Sequence, residues 1–292
     1  MGGLGGCNPP NPPLPLVRLC ESYKREWVEG CMIEIKQEKK EKLGTLFEAY
    51  KWNYLVDAVL EDAVISRALA DNKVDPQVAV LELSKIKLYN TGGDANHPAA
   101  RSFLKGLRGF AALVPSSDGW ATLIQDEFSG KIVSLPRYAF TSERLDTAHL
   151  LELSAKMPEG CRMVPLDLHL SRCLAGERSE FASDHLLNYE SPEDFVARGF
   201  GFCILDGEEI ISVATTFVTC KAGIEIQINT REVHKRAGLA TAVAARIMLH
   251  SLEWGLDPNW DAANQNSVGL ATKLGYTPQG TYTMYVIPGS VG

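Results

Sequence analysis

The chain has 292 residues, of which 45% are hydrophobic and 22% charged, and its formal net charge is −7. These values are typical of a folded protein with a buried core, and the length suits roughly two ordinary domains or one large one. The acidic balance argues against general nucleic-acid binding, which needs a clustered basic surface, and no apolar run approaches the roughly 18 residues of a membrane span.

Seven cysteines are scattered along the chain without a CxxC pair, at positions 7, 20, 31, 161, 173, 203 and 220. An odd and dispersed set argues against a disulfide framework or a structural zinc site and favours a reducing compartment. We therefore expect a cytoplasmic protein that binds no metal. The first fifteen residues, MGGLGGCNPPNPPLP, lack the organisation of a signal peptide and are expected to form a disordered tail.

Residues 16–140 are predicted to form an α-rich region that leads into short strands. From residue 17 to about Glu82, apolar residues recur at spacings of three and four, which indicates mainly helical structure with a first helix at 17–31. Another helix is expected to begin near His97 and Pro98. Three β-prone runs then predict strands at 110–115, 120–128 and 130–140. No internal repeat is visible.

Residues 141–292 hold clearer patterns. Ser142 is the expected N-cap of a helix that ends before Pro158, and a helical or loop stretch at 166–198 includes the short capped helix SPEDFVARG. Three consecutive β-prone runs, GFGFCIL, EEIISVATTFVTC and GIEIQINT, are joined by short turns and predict an antiparallel meander.

Two helices and one or two closing strands are predicted after the meander. The first helix runs from Gly238 to Trp254 with apolar residues along one face. The second helix, NQNSVGLATKL, is ended by Gly275, which is a good C-cap signal, and YTPQGTYTMYVI completes the chain as strand.

The corner between the meander and the first of these helices reads EVHKRAGLATAV. The start of a helix leaves backbone N–H groups free, and the small residues Gly238 and Ala240 would let an anion approach them. Lys235 and Arg236 add positive charge. The corner therefore predicts a phosphate or pyrophosphate site, although neither a P-loop nor a dinucleotide fingerprint is present. An ordinary tight strand–helix connection would account for the same residues.

The order of these motifs resembles the GNAT superfamily of N-acetyltransferases, and it is similar to the zwittermicin-A-resistance-type branch of that family. The resemblance is carried by KRAGLAT, by NQNSVGLATKLGY and by the run that joins them, with GFCIL and RYAF upstream, and it is strong over about 195–288. It implies an α+β protein with a GNAT-like acetyltransferase domain at 141–292. In that domain a mixed, mostly antiparallel twisted sheet would be flanked by helices.

The resemblance also implies that acetyl-CoA is the co-substrate and that a small-molecule amine is the acceptor. In the family the corner holds the pyrophosphate, and the second helix lies beside the pantetheine arm. Lys235 stands where Arg or Gln is usual. The implied cofactor contacts are Ile228, Asn229, Thr230, Lys235, Arg236, Ala237, Gly238, Leu239, Ala240, Thr241, Asn264 and Ser267.

Transfer to an amine needs a base, because an alkylamine with a pKa near 10.4 is mostly protonated at neutral pH. Glu225 is the expected base, and strand alternation places it on one polar face with Gln227 and Asn229. A solvated or salt-bridged strand glutamate is the alternative. The resemblance implies that a backbone N–H within 228–230 stabilises the oxyanion, where this strand splays from its neighbour.

The sequence offers three tyrosines as the general acid. Ala271 occupies the position where many members of the family carry a tyrosine that protonates the leaving thiolate. Tyr282 is our candidate, with Tyr276 and Tyr285 as alternatives, and each of them could instead be an aromatic residue of the core. The acceptor is expected between the C-terminal domain and the preceding region, in contact with RYAF at 137–140.

Two other clusters contain residue types that can form sites. Asp167, His169 and Cys173 have no second cluster that would complete a four-ligand metal site, so their spacing is taken as incidental. Asp94 and His97 are expected to form a capped turn.

Two functions of the whole chain remain open from the sequence, and a third possibility is that residues 16–140 form a partner-binding module with acetylation secondary. The first is direct acetyl transfer to an amine of an antibiotic-like, amino-sugar or amino-acid-derived metabolite. The second is a GNAT-folded acyl-CoA-binding or sensor protein without turnover, which Ala271 and Gln227 favour. No nucleic-acid or membrane partner is expected, and the sequence leaves open whether the protein is a monomer or a homodimer.

Overall fold

A computed structural model describes residues 32–289 apart from 178, 180 and 183. The tail expected at 1–15 and the helix expected at 17–31 lie outside the described residues. Within them, no helix is both long and apolar enough to cross a membrane.

The first half of the described chain contains more strand than the sequence predicts. Its elements are β1 (Ile33–Glu34), a 3-10 helix (Gln37–Tyr50), α1 (Tyr54–Leu60), β2 (Ser66–Ala70), β3 (Val78–Leu83), β4 (Leu88–Gly93), α2 (Pro98–Gly106), β5 (Ala111–Val114), α3 (Asp118–Glu127) and β6 (Val133–Thr141). The predicted helix near residue 98 and the predicted strands at 110–115 and 130–140 are confirmed.

Two predictions for this half are wrong. The helical pattern does not continue to Glu82, because β2 and β3 are strands, and β3 is buried along its whole length. A strand buried on both faces has a continuous apolar run, which periodicity cannot tell from a buried helix. The run at 120–128 lies in α3, where the Ser117 side chain caps the helix by accepting from the Trp120 N–H.

The second half follows the sequence patterns closely. Its elements are α4 (Thr147–Ser154), β7 (Cys161–Pro165), α5 (Leu168–Gly176), α6 (Pro192–Arg198), β8 (Gly201–Asp206), β9 (Glu209–Thr219), β10 (Gly223–Thr230), a 3-10 turn (Glu232–His234), α7 (Leu239–Glu253), β11 (Asp257–Asn259), β12 (Asp261–Ala262), α8 (Gln265–Leu274) and β13 (Thr277–Ile287). The meander, both helices and the closing strand are confirmed. The sequence did not predict β7.

The predicted N-cap of α4 is wrong. Asp146 caps this helix, because its Oδ1 accepts from the Ala148 N–H at 2.9 Å. Ser142 instead donates its hydroxyl hydrogen to the carboxylate of Asp257. The side chain that was expected to start the helix therefore ties the end of β6 to β11.

The strands form two mixed, mostly antiparallel sheets flanked by helices, where the sequence predicts one such sheet in the C-terminal domain. The strand order is β1-β2-β3-β4-β5-β13-β6-β12 in the eight-stranded sheet and β11-β10-β9-β8-β7 in the five-stranded sheet. Only Trp260 separates β11 from β12, so the two sheets adjoin at this residue. Among the described strands, β4–β5 and β10–β11 are the parallel pairs.

The two halves repeat one order of elements. Three meander strands, a helix, a parallel strand, a helix and a final strand occur as β2-β3-β4-α2-β5-α3-β6 and again as β8-β9-β10-α7-β11-α8-β13. The register repeats as well: Asn90 opposes Val114 at the third parallel pair, as Glu225 opposes Asn259. No repeat is visible in the sequence, since a common fold needs only a common pattern of buried volume.

The final strand of the second repeat lies in the eight-stranded sheet of the first repeat, and the final strand of the first repeat pairs with β12 of the second half at the edge of that sheet. β13 pairs with β5, where Val286 opposes Ala112, and β6 pairs with β12, where Tyr138 opposes Ala262. Each repeat thus satisfies backbone groups of the other. The predicted domains at 16–140 and 141–292 stay a prediction, with their border at the end of β6.

Because of this exchange, we expect the two repeats to unfold in one cooperative transition. Leu104→Ala in α2 and Ile247→Ala in α7 each remove a fully buried side chain, which costs about 2–5 kcal/mol. Each variant should lower one common midpoint, measured in urea by circular dichroism and by tryptophan fluorescence. Two separate transitions, with each variant moving one of them, would contradict the expectation.

Candidate active site

The predicted base lies on the face of β10 that points away from α7. Ile224, Ile226 and Ile228 pack in the core beneath α7. Glu225 and Gln227 alternate with them and therefore face the opposite side. The register between β9 and β10 shifts between Glu225 and Ile226, where Phe217 is the extra residue of β9, so the alternation along β10 is kept.

Glu225 is a buried, hydrogen-bonded carboxyl group. Its Oε1 accepts from the backbone N–H of Tyr54 at 3.0 Å and from the side-chain amide of Asn259 at 2.6 Å. Burial raises the pKa of Glu225 from 4.5 to about 8, and the Asp261 carboxylate also raises it, while Asn259, Tyr54 and Arg137 lower it. A solvated glutamate, the alternative, is excluded by this burial. A carboxyl group that titrates near neutral pH is suited to accept a proton.

A second group of polar side chains lines the site from the exchanged strands. Arg137 of β6 donates from Nε to Asp261 Oδ1 at 3.1 Å, and the Tyr282 hydroxyl of β13 donates to the same carboxylate. The Tyr282 ring packs on Trp52 with 4.6 Å between ring centroids. Burial and the Asp261 charge raise the pKa of Tyr282. Since its proton is held by Asp261, the predicted role of Tyr282 as general acid stays a prediction.

The two alternative tyrosines have structural partners. Tyr276 is buried beside Phe140 and donates to the Pro258 carbonyl at 2.6 Å. Tyr285 is buried against α3, where its hydroxyl bonds the side-chain amide of Gln125.

β10 and β11 separate directly after the base. They pair from Gly223 to Glu225, and β10 then continues to Thr230 beside β9 alone. The Arg231 N–H bonds the Ile211 carbonyl of β9. Since N–H directions alternate along a strand, the N–H groups of Ile228 and Thr230 point to the open edge.

Asn229 is oriented differently from its two neighbours. By the same alternation its N–H points toward β9, and its side-chain amide donates to the Phe181 carbonyl at 2.9 Å. Of the three predicted backbone donors, Ile228 and Thr230 are therefore the ones that a ligand at the open edge could meet.

α7 begins at the predicted corner without any side-chain cap. Gly238 is its N-cap in the left-handed conformation, with φ +84°, and the Ala242 N–H donates the first helical hydrogen bond to the Gly238 carbonyl. The N–H groups of Leu239, Ala240 and Thr241 consequently have no intrahelical partner. A Cβ built at Gly238 would meet nothing within 4 Å, so the space before these amides is open.

The charged residues of the corner are exposed. Arg236 is left-handed with φ +67°, and Lys235, Arg236 and Ala237 all lie on the surface. The Lys235 ammonium group pairs with Glu232. Free helix amides with cations beside them form a favourable position for a phosphate group.

α8 packs against α7 in a common core. The Asn264 side chain caps α8 by accepting from the Ser267 N–H at 3.0 Å, and the Ser267 hydroxyl accepts from the Trp260 indole at 3.2 Å. Ala271 faces this core and is fully buried. The position at which many relatives carry a tyrosine therefore supplies no hydroxyl group here.

Two further clusters, one with Asp167, His169 and Cys173 and one with Asp94 and His97, have local structural roles. The Asp167 side chain caps α5, and the Cys173 sulfur lies 3.9 Å from the His169 ring. Across the described ranges, no group of three or more His, Cys, Asp or Glu side chains could hold a metal ion. The capped turn is confirmed, since Asp94 accepts from the Asn96 N–H and His97 from the Ala99 N–H.

Sequence reasoning missed most of the groups around the base. Asn259 and Asp261 lie in the segment LDPNWDA, which we interpreted only as a return of the chain. Polar residues within a short run between two predicted helices were the signal that could have been used. Tyr54 was missed because its contribution is a backbone N–H, which no residue type reveals. Arg137 belongs to the RYAF segment that was expected to meet the acceptor.

The buried carboxyl group makes stability depend on pH. Between pH 4.5 and 8 the folded chain keeps a proton on Glu225 that the unfolded chain has lost. The free energy of unfolding therefore loses about 1.4 kcal/mol per pH unit from this group over that window. We expect Glu225→Gln, which cannot titrate, to gain stability relative to the wild type as the pH rises from 5 to 8.

Urea unfolding at several pH values measures this difference. Glu48→Gln, in the 3-10 helix and exposed to solvent, is the matched control. If the wild type and Glu225→Gln kept a constant difference in unfolding free energy across the window, Glu225 would not carry the raised pKa.

Known proteins are similar to this chain over most of its length. A family model described as GNAT acetyltransferase matches residues 45–285. A Bacillus subtilis (strain 168) protein, the uncharacterized N-acetyltransferase YdfB, is 25% identical over 262 residues, which cover 86% of this chain and 97% of that protein. The family match spans both repeats, so it includes the region that the sequence left unassigned.

Solved structures share the fold. The crystal structure of a GCN5-related N-acetyltransferase-like protein from Streptococcus suis 89/1591 matches with a TM-score of 0.74 and 30% identity, over 85% of this chain and 98% of that one. A tandem GNAT protein from the clavulanic acid biosynthesis pathway matches with a TM-score of 0.55 and 12% identity, over 87% of this chain and 97% of that one. The second likeness is one of fold alone.

Proposed function

Because this chain belongs to the GNAT acetyltransferase family, we propose that it transfers an acetyl group from acetyl-CoA directly to an amine of a small molecule. One arrangement supports the proposal above all. The uncapped amides at the start of α7 lie at one end of β10, the buried base Glu225 lies on its opposite face, and the open edge of the strand lies between them.

The residues present fit acetyl-CoA. Its diphosphate would meet the free N–H groups that follow Gly238, with Lys235 and Arg236 beside them. Charge-assisted bonds of this kind contribute roughly 1.5–3 kcal/mol each. When bound, acetyl-CoA supplies an activated thioester carbonyl. The carbonyl oxygen would face the outward N–H groups of Ile228 and Thr230.

Side chains and backbone groups of this chain transfer the protons and stabilise the developing negative charge. Glu225 takes a proton from the acceptor ammonium group, directly or through a water molecule, which frees the nitrogen lone pair. The nitrogen then bonds the acetyl carbon and loses its second proton to water while the carbon–sulfur bond breaks, and the Ile228 and Thr230 N–H groups stabilise the negative charge on the acetyl oxygen. The thiolate takes up a proton as it leaves. Tyr282 is the proposed donor, and its hydroxyl group would turn from Asp261 to the thiolate to give up this proton.

The acceptor is proposed to bind near Arg137, Asp261 and Trp52. The resemblance to the zwittermicin-A-resistance-type branch supports an antibiotic-like or amino-sugar-derived amine as the substrate class. The scattered cysteines support a reducing cytoplasm as the place of the reaction.

A binding or sensor protein without turnover is the second candidate. The buried Ala271 and the commitment of the Tyr282 hydroxyl to Asp261 favour it, because both leave the thiolate without a free acid. A panel of small-molecule amines, assayed for release of the CoA thiol, separates the two candidates. Steady turnover of any amine would remove the second.

Gly238→Glu should weaken CoA binding by at least about tenfold, or 1.4 kcal/mol. A carboxylate would then stand before the amides that are proposed to hold the diphosphate. Gly160→Glu is the matched control, since Gly160 has φ +86° and open space around it, as Gly238 has φ +84°. Titration calorimetry with CoA measures both variants. Equal affinities for the two would rule out the α7 corner as the cofactor site.

Glu225→Gln should lower kcat by about 10²–10⁴-fold and leave CoA affinity unchanged, because the variant cannot accept the acceptor's proton. In the wild type, kcat/KM should rise with pH through about 8, as the folded carboxyl group ionises. Glu193→Gln, at an exposed glutamate of α6, is the control. Undiminished turnover in Glu225→Gln would show that another group is the base.

A further inference from the structure

The segment from the 3-10 helix to Tyr54 touches the equivalent place in both repeats. In the first repeat, register places Asn90 where the second repeat has Glu225, and Val114 where it has Asn259. Asn90 is fully buried, and neither its amide nitrogen nor its oxygen has a hydrogen-bond partner within the described part of the chain. An amide cannot act as a base, so the first repeat lacks the group that the second repeat is proposed to use.

The face of the first repeat that corresponds to the acceptor side is filled by the chain itself. The Tyr50 hydroxyl lies within hydrogen-bond distance of the Thr91 carbonyl, at 3.0 Å, and of the Val114 carbonyl, at 2.6 Å. It thus closes the point where β4 and β5 separate. A Cβ at Gly92 would lie 2.8 Å from both the Leu46 carbonyl and the Phe47 ring, so no space is left between β4 and the 3-10 helix.

The first repeat also lacks an equivalent of the free amides at the start of α7. α2 begins with Pro98, which has no N–H group, and the Ala99 N–H is taken by the His97 ring. Two of the amides that are free at the start of α7 are therefore absent or occupied at the start of α2.

The other end of the same segment builds the site of the second repeat. Four residues after Tyr50, the Tyr54 N–H donates to Glu225 at 3.0 Å. The Trp52 carbonyl accepts from the Asn259 amide at 3.0 Å, and that amide also donates to Glu225. The segment that closes one site is continuous with the contacts that hold the base of the other.

We propose that the first repeat is a non-catalytic copy without a cofactor site, and that its closed face anchors Trp52–Tyr54 as a positioning element for Glu225. This rests on the proposed role of Glu225 as the base. The Tyr54 N–H and the Trp52 carbonyl act through Glu225 and Asn259, so they are positioning groups and not catalytic residues. One chain then carries one reaction centre, which both repeats build.

Proline at position 54 isolates the N–H contact. Position 54 is the first residue of α1, where proline is favoured, and Asn53 before it is already extended, with φ −127° and ψ 99°. Tyr54→Ala is the matched control. Both variants lose the tyrosine ring and its hydroxyl bond to Asp257, but only Tyr54→Pro loses the N–H.

The quantity to measure is the pH at which kcat/KM falls on the acid side of its pH profile, called the acid limb. A hydrogen bond to a carboxylate lowers its pKa, so losing the bond should move the acid limb of Tyr54→Pro about one unit to higher pH than that of Tyr54→Ala. Because the same amine is used for both variants, its own protonation affects both acid limbs equally and does not change the difference between them. Coincident acid limbs would overturn the positioning role. The other charged or titratable groups around Glu225 are common to both variants: Asp257, Asp261, Arg137, Tyr276 and Tyr282.

A second measurement needs neither turnover nor a variant at position 54. In ¹⁵N-labelled wild-type protein, the Tyr54 amide resonance should shift with a midpoint near pH 8, because its acceptor ionises there, and the shift should be absent in Glu225→Gln. A pH-independent Tyr54 resonance would overturn the contact. If no amine were acetylated while this titration was present, the proposed function would fail and the positioning contact would stand.

The number of CoA molecules bound per chain tests whether the first repeat has a cofactor site. Titration calorimetry should give one CoA per chain, and Gly238→Glu should remove that binding. Two CoA molecules per chain, with one retained in Gly238→Glu, would show that the first repeat keeps a cofactor site and would overturn the proposal.

Discussion

The separation of β10 from β11 is the constraint on which the site depends. Parallel pairing ends at Glu225 and Asn259, so backbone groups beyond this point on β10 have no partner across the open edge. That edge connects a buried carboxyl group on one face to uncapped helix amides at the end of the strand. A continuous ladder would satisfy the Ile228 and Thr230 N–H groups and leave no open edge on β10 beyond Glu225.

Burial of Glu225 follows from the way the repeats share their strands. β6 brings Arg137 and β13 brings Tyr282 to Asp261, while the segment after the 3-10 helix covers Glu225 itself. Removing water raises the pKa of the carboxyl group, and the few donors around it limit the rise. The same elements thus complete the sheet and set the proton affinity of the site.

Local patterns predicted the second repeat well and the first repeat poorly. Gly238, Asn264 and Gly275 mark helix ends by their own chemistry, so the corner and both helices could be read from the sequence. β3 is buried on both faces and carries no alternation that periodicity could detect. Contacts made by backbone atoms, such as the Tyr54 N–H, have no residue signature, and strand exchange depends on pairings between distant segments.

Two similar units that share strands resemble the two subunits of a symmetric homodimer. Here both units belong to one polypeptide. In a homodimer every substitution occurs in both subunits, so a change that blocked one acceptor face would block the other as well. Covalent fusion removes that coupling. Tyr50 and Asn90 lie in the first repeat alone, so that face can be closed while β10 of the second repeat keeps its open edge.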